Sequence, residues 1–124
     1  MNRKQFILSK NASCANWTWS WSFFNRDDKV VMFGVWDENI LNTPLSTGSA
    51  IILSPSWEKK NGRYQLGYGE AVENINRILN EGYKLQVFEM EYTEKDGDVK
   101  IGKIIEKLFN KGLVQNPNGD WCAV

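Results

Sequence analysis

The stretch that most constrains the fold runs from Asn16 to Phe24. It reads Asn-Trp-Thr-Trp-Ser-Trp-Ser-Phe-Phe, so an aromatic ring occupies every second position from Trp17 to Phe23. A period of two predicts a β-strand, because successive side chains of a strand point to opposite faces. One face would carry indoles and the other the hydroxyls of Thr18, Ser20 and Ser22. Either the indoles line a pocket for a flat ligand, or they pack a core and the hydroxyl face lines the cavity.

Composition limits how such a pocket can be used. The chain has 124 residues, six of them Trp, and a formal net charge of zero. This length suits one domain, 1–124, with a core of its own. A protein that grips nucleic acid mainly through phosphates is usually basic. Any nucleic-acid contact here is therefore expected either to come from a local patch or to be weak.

The chain has no His and two Cys. Ser-His and Cys-His nucleophile pairs are excluded, as are zinc sites that use His or four Cys. No pair of carboxylates has a spacing that indicates acid–base catalysis. We expect a protein that is not an enzyme and needs no metal or cofactor. The run of apolar residues near the amino terminus is too short for the hydrophobic region of a signal peptide, which favours a cytoplasmic protein.

Local patterns predict the elements around the Trp stretch. Asn2 is a candidate cap for a short helix that ends near Lys10. The run 30–36 is apolar on both faces and predicts a central strand, joined to the Trp strand as a β-hairpin. Gly34 within it indicates a bulge or a close approach by another group.

The remaining elements follow in order. Ser54 and Pro55 predict a helical turn that ends at the basic residues 59–63. A helix is predicted from Tyr68 or Gly69 to about Asn80, with an apolar stripe and a closing glycine; its residues are Val72, Ile75, Ile78, Leu79 and Gly82. A strand is predicted over 83–92.

The segment 99–109 fits either a helix or a strand. Because it follows turn-forming residues at 95–98, we predict a strand to about Ile105 and then a short turn of helix. Short strands are also expected at 49–53 and 120–124. Taken together, these elements predict an α+β fold: a curled, barrel-like, mostly antiparallel sheet with one main helix and one or two short helices.

Two groups of residues are candidates for a binding site. Aromatic faces stack on bases and sugars and also enclose methylated ammonium groups, although large rings more often pack cores. The candidate ligand-binding residues are Trp17, Trp19, Trp21, Trp36, Asp37, Trp57 and Tyr68. The densest basic cluster lies beside them, and its members Lys59, Lys60 and Arg63 are candidate phosphate contacts.

These residues also carry a resemblance to a known family. The motifs are Trp-x-Trp-Ser at 17–20 and 19–22, Phe-Gly-Val-Trp at 33–36 with Asp37, and Gly-Asp-Trp at 119–121. The chain resembles the domain that precedes the HNH nuclease in bacterial modification-dependent restriction enzymes of the McrA type. The resemblance is weakest after Glu94.

The resemblance implies a non-catalytic DNA-binding domain that reads a modified base, such as methylated cytosine, in an aromatic pocket. It implies DNA and a nuclease domain or subunit as partners. The nuclease cannot lie within this chain, which has no His to supply its site. The alternative is a module that binds sugar or a methyl-lysine peptide with the same aromatic residues.

Overall fold

Two helices and ten strands follow one another along the described residues, 2–95 and 98–124, of this computed structural model. For residues 92–95 and 98–102 only the backbone is described. The helices are α1 (Arg3–Ser9) and α2 (Tyr68–Glu81). The strands are β1 (Ser22–Asn25), β2 (Val30–Trp36), β3 (Ala50–Leu53), β4 (Lys59–Lys60), β5 (Arg63–Tyr64), β6 (Lys84–Lys95), β7 (Asp98–Ile104), β8 (Phe109–Lys111), β9 (Leu113–Gln115) and β10 (Trp121–Ala123). Short 3-10 turns lie at Asp37–Asn39 and Pro55–Trp57.

The main sheet has the order β1-β2-β6-β7, and β8 also pairs with β6. A second sheet has the order β3-β10-β9, and β4 and β5 form a hairpin. The main sheet is strongly curled, so the predicted α+β fold with a curled sheet is confirmed. Most pairs are antiparallel, but β2 and β6 are parallel, from Val30 opposite Lys84 to Trp36 opposite Met90. The connection between them runs through α2, as a parallel pair requires.

Strand β2 separates two cores. Val31, Phe33 and Val35 pack with α2 and β3, whereas Met32 packs with α1. The prediction of a central strand is confirmed, because both faces are buried. Gly34 is the site of a close approach: a Cβ there would lie 2.6 Å from the sulfur of Met90.

The predicted caps are confirmed. The Asn2 side chain accepts the Gln5 backbone N–H at 2.8 Å, and the Gln5 side chain accepts that of Asn2 at 3.1 Å, which closes a capping box at α1. Gly82 ends α2 in the left-handed conformation, with φ of 74°. None of the helices in the described residues is long and apolar enough to cross a bilayer.

The extended Trp strand is a wrong prediction. Strand β1 begins only at Ser22, and residues 17–19 form a turn. The cause is Asn16, whose side-chain oxygen accepts the N–H groups of Thr18 at 2.8 Å and Trp19 at 3.2 Å. An Asn that bonds the backbone two and three residues later competes with strand formation.

Two further predictions need correction. The apolar stripe assigned to α2 is only partly buried: Ile75 is in the core, but Val72 and Leu79 are 44% and 54% exposed. The face of α2 that packs on the sheet is centred on Ala71 and Asn74 instead. The short helical turn after Ile105 is absent, and the chain forms β8, which pairs with the early part of β6. The turn predicted at 95–98 includes Asp96 and Gly97, which lie outside the described residues.

Candidate functional site

An open cleft of about 1050 Å³ lies where four segments of the chain meet. Its walls carry the side chains of Trp19, Trp21, Trp36 and Trp57, and we call it the indole cleft. These side chains come from the loop before β1, from the end of β2 and from the turn after β3. Four of the seven candidate ligand-binding residues therefore share one depression.

Trp21 and Trp57 form the inner wall of the cleft. Trp21 donates its indole N–H to the backbone oxygen of Ile52 at 3.1 Å. Its ring meets that of Trp57 edge to face, with centroids 6.3 Å apart and an interplanar angle of 76°. Trp57 ends a 3-10 turn that Ser54 caps. Both rings are half-buried and pack on the core, so they form a fixed surface.

Trp19 stands at the mouth of the cleft and is 43% exposed. It belongs to the loop of residues 14–20, here called the Trp loop. Both helices fasten this loop. Arg3 of α1 donates to the backbone oxygens of Trp17 and, at 2.6 Å, of Ser20. Glu70 of α2 accepts the Ala15 N–H at 2.5 Å and the Ser20 hydroxyl.

Burial lowers the pKa of Arg3, because desolvation disfavours the charged guanidinium. The hydrogen bonds to two backbone oxygens stabilise that charge in place. Arg3 thus acts as a structural clamp on the Trp loop.

The hydroxyl face beside the indoles forms a seam with α2 rather than a cavity wall. Ser20 and Ser22 are buried. The Ser22 hydroxyl accepts from the Asn74 amide at 2.8 Å, and the Arg77 guanidinium lies 3.9 Å from the centre of the Phe24 ring. In this seam, residues about one helical turn apart on α2 face every second residue of the segment that enters and forms β1. The members of the seam are Glu70, Asn74 and Arg77 on α2 and Ser20, Ser22 and Phe24 on the other side.

The outer rim of the cleft is the hairpin β4–β5. The predicted helical turn is present at Pro55–Trp57 with Ser54 as its cap. The basic segment that follows it, 59–63, belongs to the hairpin. Lys59, Lys60 and Arg63 are exposed and all three line the cleft. The candidate phosphate contacts are therefore adjacent to the candidate stacking residues.

Three candidate residues lie outside the cleft. Trp17 is half-buried and stacks on Phe23 of the core beneath α1, with centroids 5.9 Å apart. Tyr68 lines a separate groove of about 330 Å³. Asp37 is exposed just beyond Trp36, and its side chain accepts the Glu38 N–H at 2.9 Å.

The cleft also contains polar residues outside the set of candidate site residues chosen from the sequence. Glu38, Asn39 and Gln65 contribute donors and acceptors to its walls. Their only sequence signal is adjacency, since two of them follow Trp36 closely and the third follows Tyr64. Such groups suit the hydrogen-bonding edge of a base or a sugar.

The two cysteines lie outside the cleft walls and are free thiols, with Cys14 half-buried and Cys122 buried. Burial raises the pKa of both thiols. No group of three or more acidic or Cys side chains that could hold a metal ion occurs among the residues described.

Comparison with protein families, with curated proteins and with solved structures finds no match. A functional assignment therefore rests on the geometry and charge of the cleft.

Proposed function

We propose that this chain is a non-catalytic DNA-binding domain that takes a base, modified in its target, into the indole cleft. One observation carries the proposal: four indoles and three cationic side chains line a single depression. Stacking on aromatic side chains is worth about 1–3 kcal/mol per base, and nearby cations contact the phosphates on either side. A base extruded from a duplex needs both kinds of contact.

Charge favours an anionic ligand. The cleft walls carry Lys59, Lys60 and Arg63 against one acidic side chain, Glu38. A formally neutral protein thus concentrates positive charge at the aromatic site, which is the local patch that DNA binding requires.

A modified base gains contact in such a site. A methyl group buried against indole surface contributes about 0.8 kcal/mol, which is about fourfold in affinity. We therefore expect a preference of at least this size for 5-methylcytosine over cytosine. A reader of this kind is proposed to work in the cytoplasm with a nuclease domain or subunit in a restriction system.

A second candidate function is recognition of a methylated ammonium group or a sugar. The perpendicular rings of Trp21 and Trp57, with Glu38 nearby, offer two walls and a carboxylate of the kind that encloses such a cation. The three cations on the rim oppose a basic peptide, so we rank this function second.

The test measures fluorescence anisotropy of labelled duplexes with and without 5-methylcytosine, at two salt concentrations. We expect Trp19→Ala to weaken binding by about tenfold, because one stacking wall is lost. The triple variant Lys59→Ala, Lys60→Ala, Arg63→Ala should lower the salt slope by about one for each phosphate contact removed. Val114→Ala, an exposed apolar residue outside the cleft, is the control.

The outcomes separate the two functions. Absence of binding to any DNA at low salt would contradict the proposal. Binding without regard to modification would reduce it to a general DNA contact. Saturable binding of trimethyl-lysine peptides or oligosaccharides, lost in Trp19→Ala, would favour the second candidate.

A further inference from the structure

The hairpin on the rim of the indole cleft has a regular two-stranded geometry. Lys59 pairs with Tyr64 and Lys60 with Arg63. The turn residues Asn61 and Gly62 both have positive φ, 52° and 77°, as a tight type I′ turn requires. At the base of the hairpin the Gln65 N–H donates to the Glu58 oxygen at 2.8 Å. Residues 58–64 are all exposed, so this ribbon extends into solvent.

The two faces of the ribbon differ. Side chains of a cross-strand pair lie on the same face. The Tyr64 ring meets the Tyr68 ring edge to face at 6.3 Å, so the face with Tyr64 and Lys59 is turned toward the start of α2. Lys60 and Arg63 lie on the opposite face, where neither donates to a protein acceptor within the residues described.

The dimensions of the ribbon match one groove of DNA. Two residues at about 3.3 Å each give it a reach of about 7 Å beyond its base. The major groove of B-DNA is about 8.5 Å deep and 12 Å wide and admits a two-stranded ribbon. The minor groove is about 6 Å wide, too narrow for two strands about 4.8 Å apart with their side chains.

We infer that the hairpin β4–β5 enters the major groove of duplex DNA beside the extruded base, and that Arg63 reads a guanine there. This inference rests on the proposed DNA-binding function and adds a second recognition element to it. The planar guanidinium donates two parallel hydrogen bonds to O6 and N7 of guanine, which an ammonium cannot do. Lys60 on the same face and Lys59 on the other reach the phosphates on the two sides of the groove.

The test uses duplexes that carry one 5-methylcytosine and differ in the base pairs that flank it. Anisotropy titrations compare the wild type, Arg63→Ala, Arg63→Lys and the control Arg26→Ala, which removes an exposed charge from the turn between β1 and β2. We expect the wild type to prefer guanine at one flanking position by about tenfold. Arg63→Ala and Arg63→Lys should lose that preference, although Lys retains the charge and the salt dependence. Arg26→Ala should keep it.

A substituted base identifies the groove. Replacement of the preferred guanine by 7-deazaguanine removes the N7 acceptor from the major groove and leaves the minor groove unchanged. The wild type should lose affinity, but less than through Arg63→Ala, because the bond to O6 remains. The Arg63→Ala variant should bind the two duplexes equally.

Two kinds of failure are distinguishable. If the wild type binds methylated DNA but Arg63→Ala weakens binding equally for every flanking sequence, Arg63 is a phosphate contact and the inference is wrong, while the cleft proposal stands. The inference is also wrong if a flanking preference survives Arg63→Ala or if the preferred base is not guanine. In both cases the cleft proposal stands. If the wild type binds no DNA, the proposed function fails and the inference fails with it.

Discussion

Gly67 lies where the chain enters α2, directly beneath the Trp loop. A Cβ at this position would lie 2.6 Å from the Trp21 ring and 2.7 Å from the backbone oxygen of Trp19. Real Cβ atoms do not approach other heavy atoms so closely. The positions of the Trp21 ring and of the Trp19 backbone therefore depend on the absence of a side chain at Gly67.

We expect Gly67→Ala to displace the Trp loop. Overpacking of this kind costs about 1–3 kcal/mol in the free energy of unfolding, and DNA affinity should fall as well. Denaturant unfolding and anisotropy measure the two effects. Gly112→Ala is the matched control, because a Cβ there would make only an ordinary 3.7 Å contact with Val124. Equal losses in the two variants would contradict the explanation.

Asn74 is a buried polar residue whose two ends are both bonded. Its amide donates to Ser22, and its oxygen accepts from Arg77 at 2.7 Å. Asn74→Ala leaves both partners unsatisfied in the seam, and we expect a loss of about 1–3 kcal/mol in the free energy of unfolding. Because the two residues share one bond, Asn74→Ala with Ser22→Ala should cost less than the sum of the single changes. Strict additivity in urea unfolding would show that the bond contributes nothing.

At the level of elements, the short helix α1 makes contacts with residues far from it in the sequence. Its cap at Asn2 could be predicted from the sequence, because a capping box is a local pattern. The role of Arg3 could not, since its acceptors lie 14 and 17 residues away and no local pattern indicates them. The clamp on the Trp loop becomes visible only in three dimensions.

We expect Arg3→Met to loosen the Trp loop, because it removes the donors and keeps an apolar stem. Hydrogen exchange of the loop amides should accelerate and DNA affinity should fall, with a loss of about 1.5–3 kcal/mol in stability for each bond to the charged group. Arg26→Met, on an exposed turn, should change neither quantity. Unchanged exchange in Arg3→Met would exclude the clamp.

The elements also show where periodicity fails. The central strand β2 could be predicted because seven apolar residues in succession leave no face for solvent. The Trp strand could not, because an alternating pattern does not reveal that the Asn16 side chain bonds the backbone and forms a turn. Helix α2 was predicted with nearly correct ends, but its buried face includes Asn74, which an apolar stripe cannot identify.

At the level of the whole molecule, the cleft depends on contacts between distant segments. Trp36 ends β2 of the main sheet, whereas Trp57 ends the 3-10 turn that follows β3 of the second sheet. The sequence could predict that several indoles lie close together, as four of them do in the cleft, but Trp17 and Trp19 have the same local pattern. Only the turn between them places Trp17 against the core and Trp19 at the cleft.

Both thiols contribute to the pH dependence of the whole fold. Their pKa values are raised in the folded state, so the unfolded chain loses these protons first as pH rises. This stabilising contribution is complete below the ordinary thiol pKa of about 8.5 and is lost above it. Under reducing conditions, the free energy of unfolding should therefore decrease as pH rises through about 8.5. The double variant Cys14→Ser, Cys122→Ala should show a shallower decrease, and an identical slope would contradict this.

The distribution of the six Trp gives the protein a built-in optical reference. Four indoles line the cleft, whereas Trp17 packs against the core beneath α1 and Trp121 on β10 lines the smaller groove. A bound ligand should quench the emission of the first group and leave that of the second unchanged. The time-resolved decay of Trp fluorescence in the unlabelled protein then contains both the emission that responds to the ligand and the emission that serves as its reference.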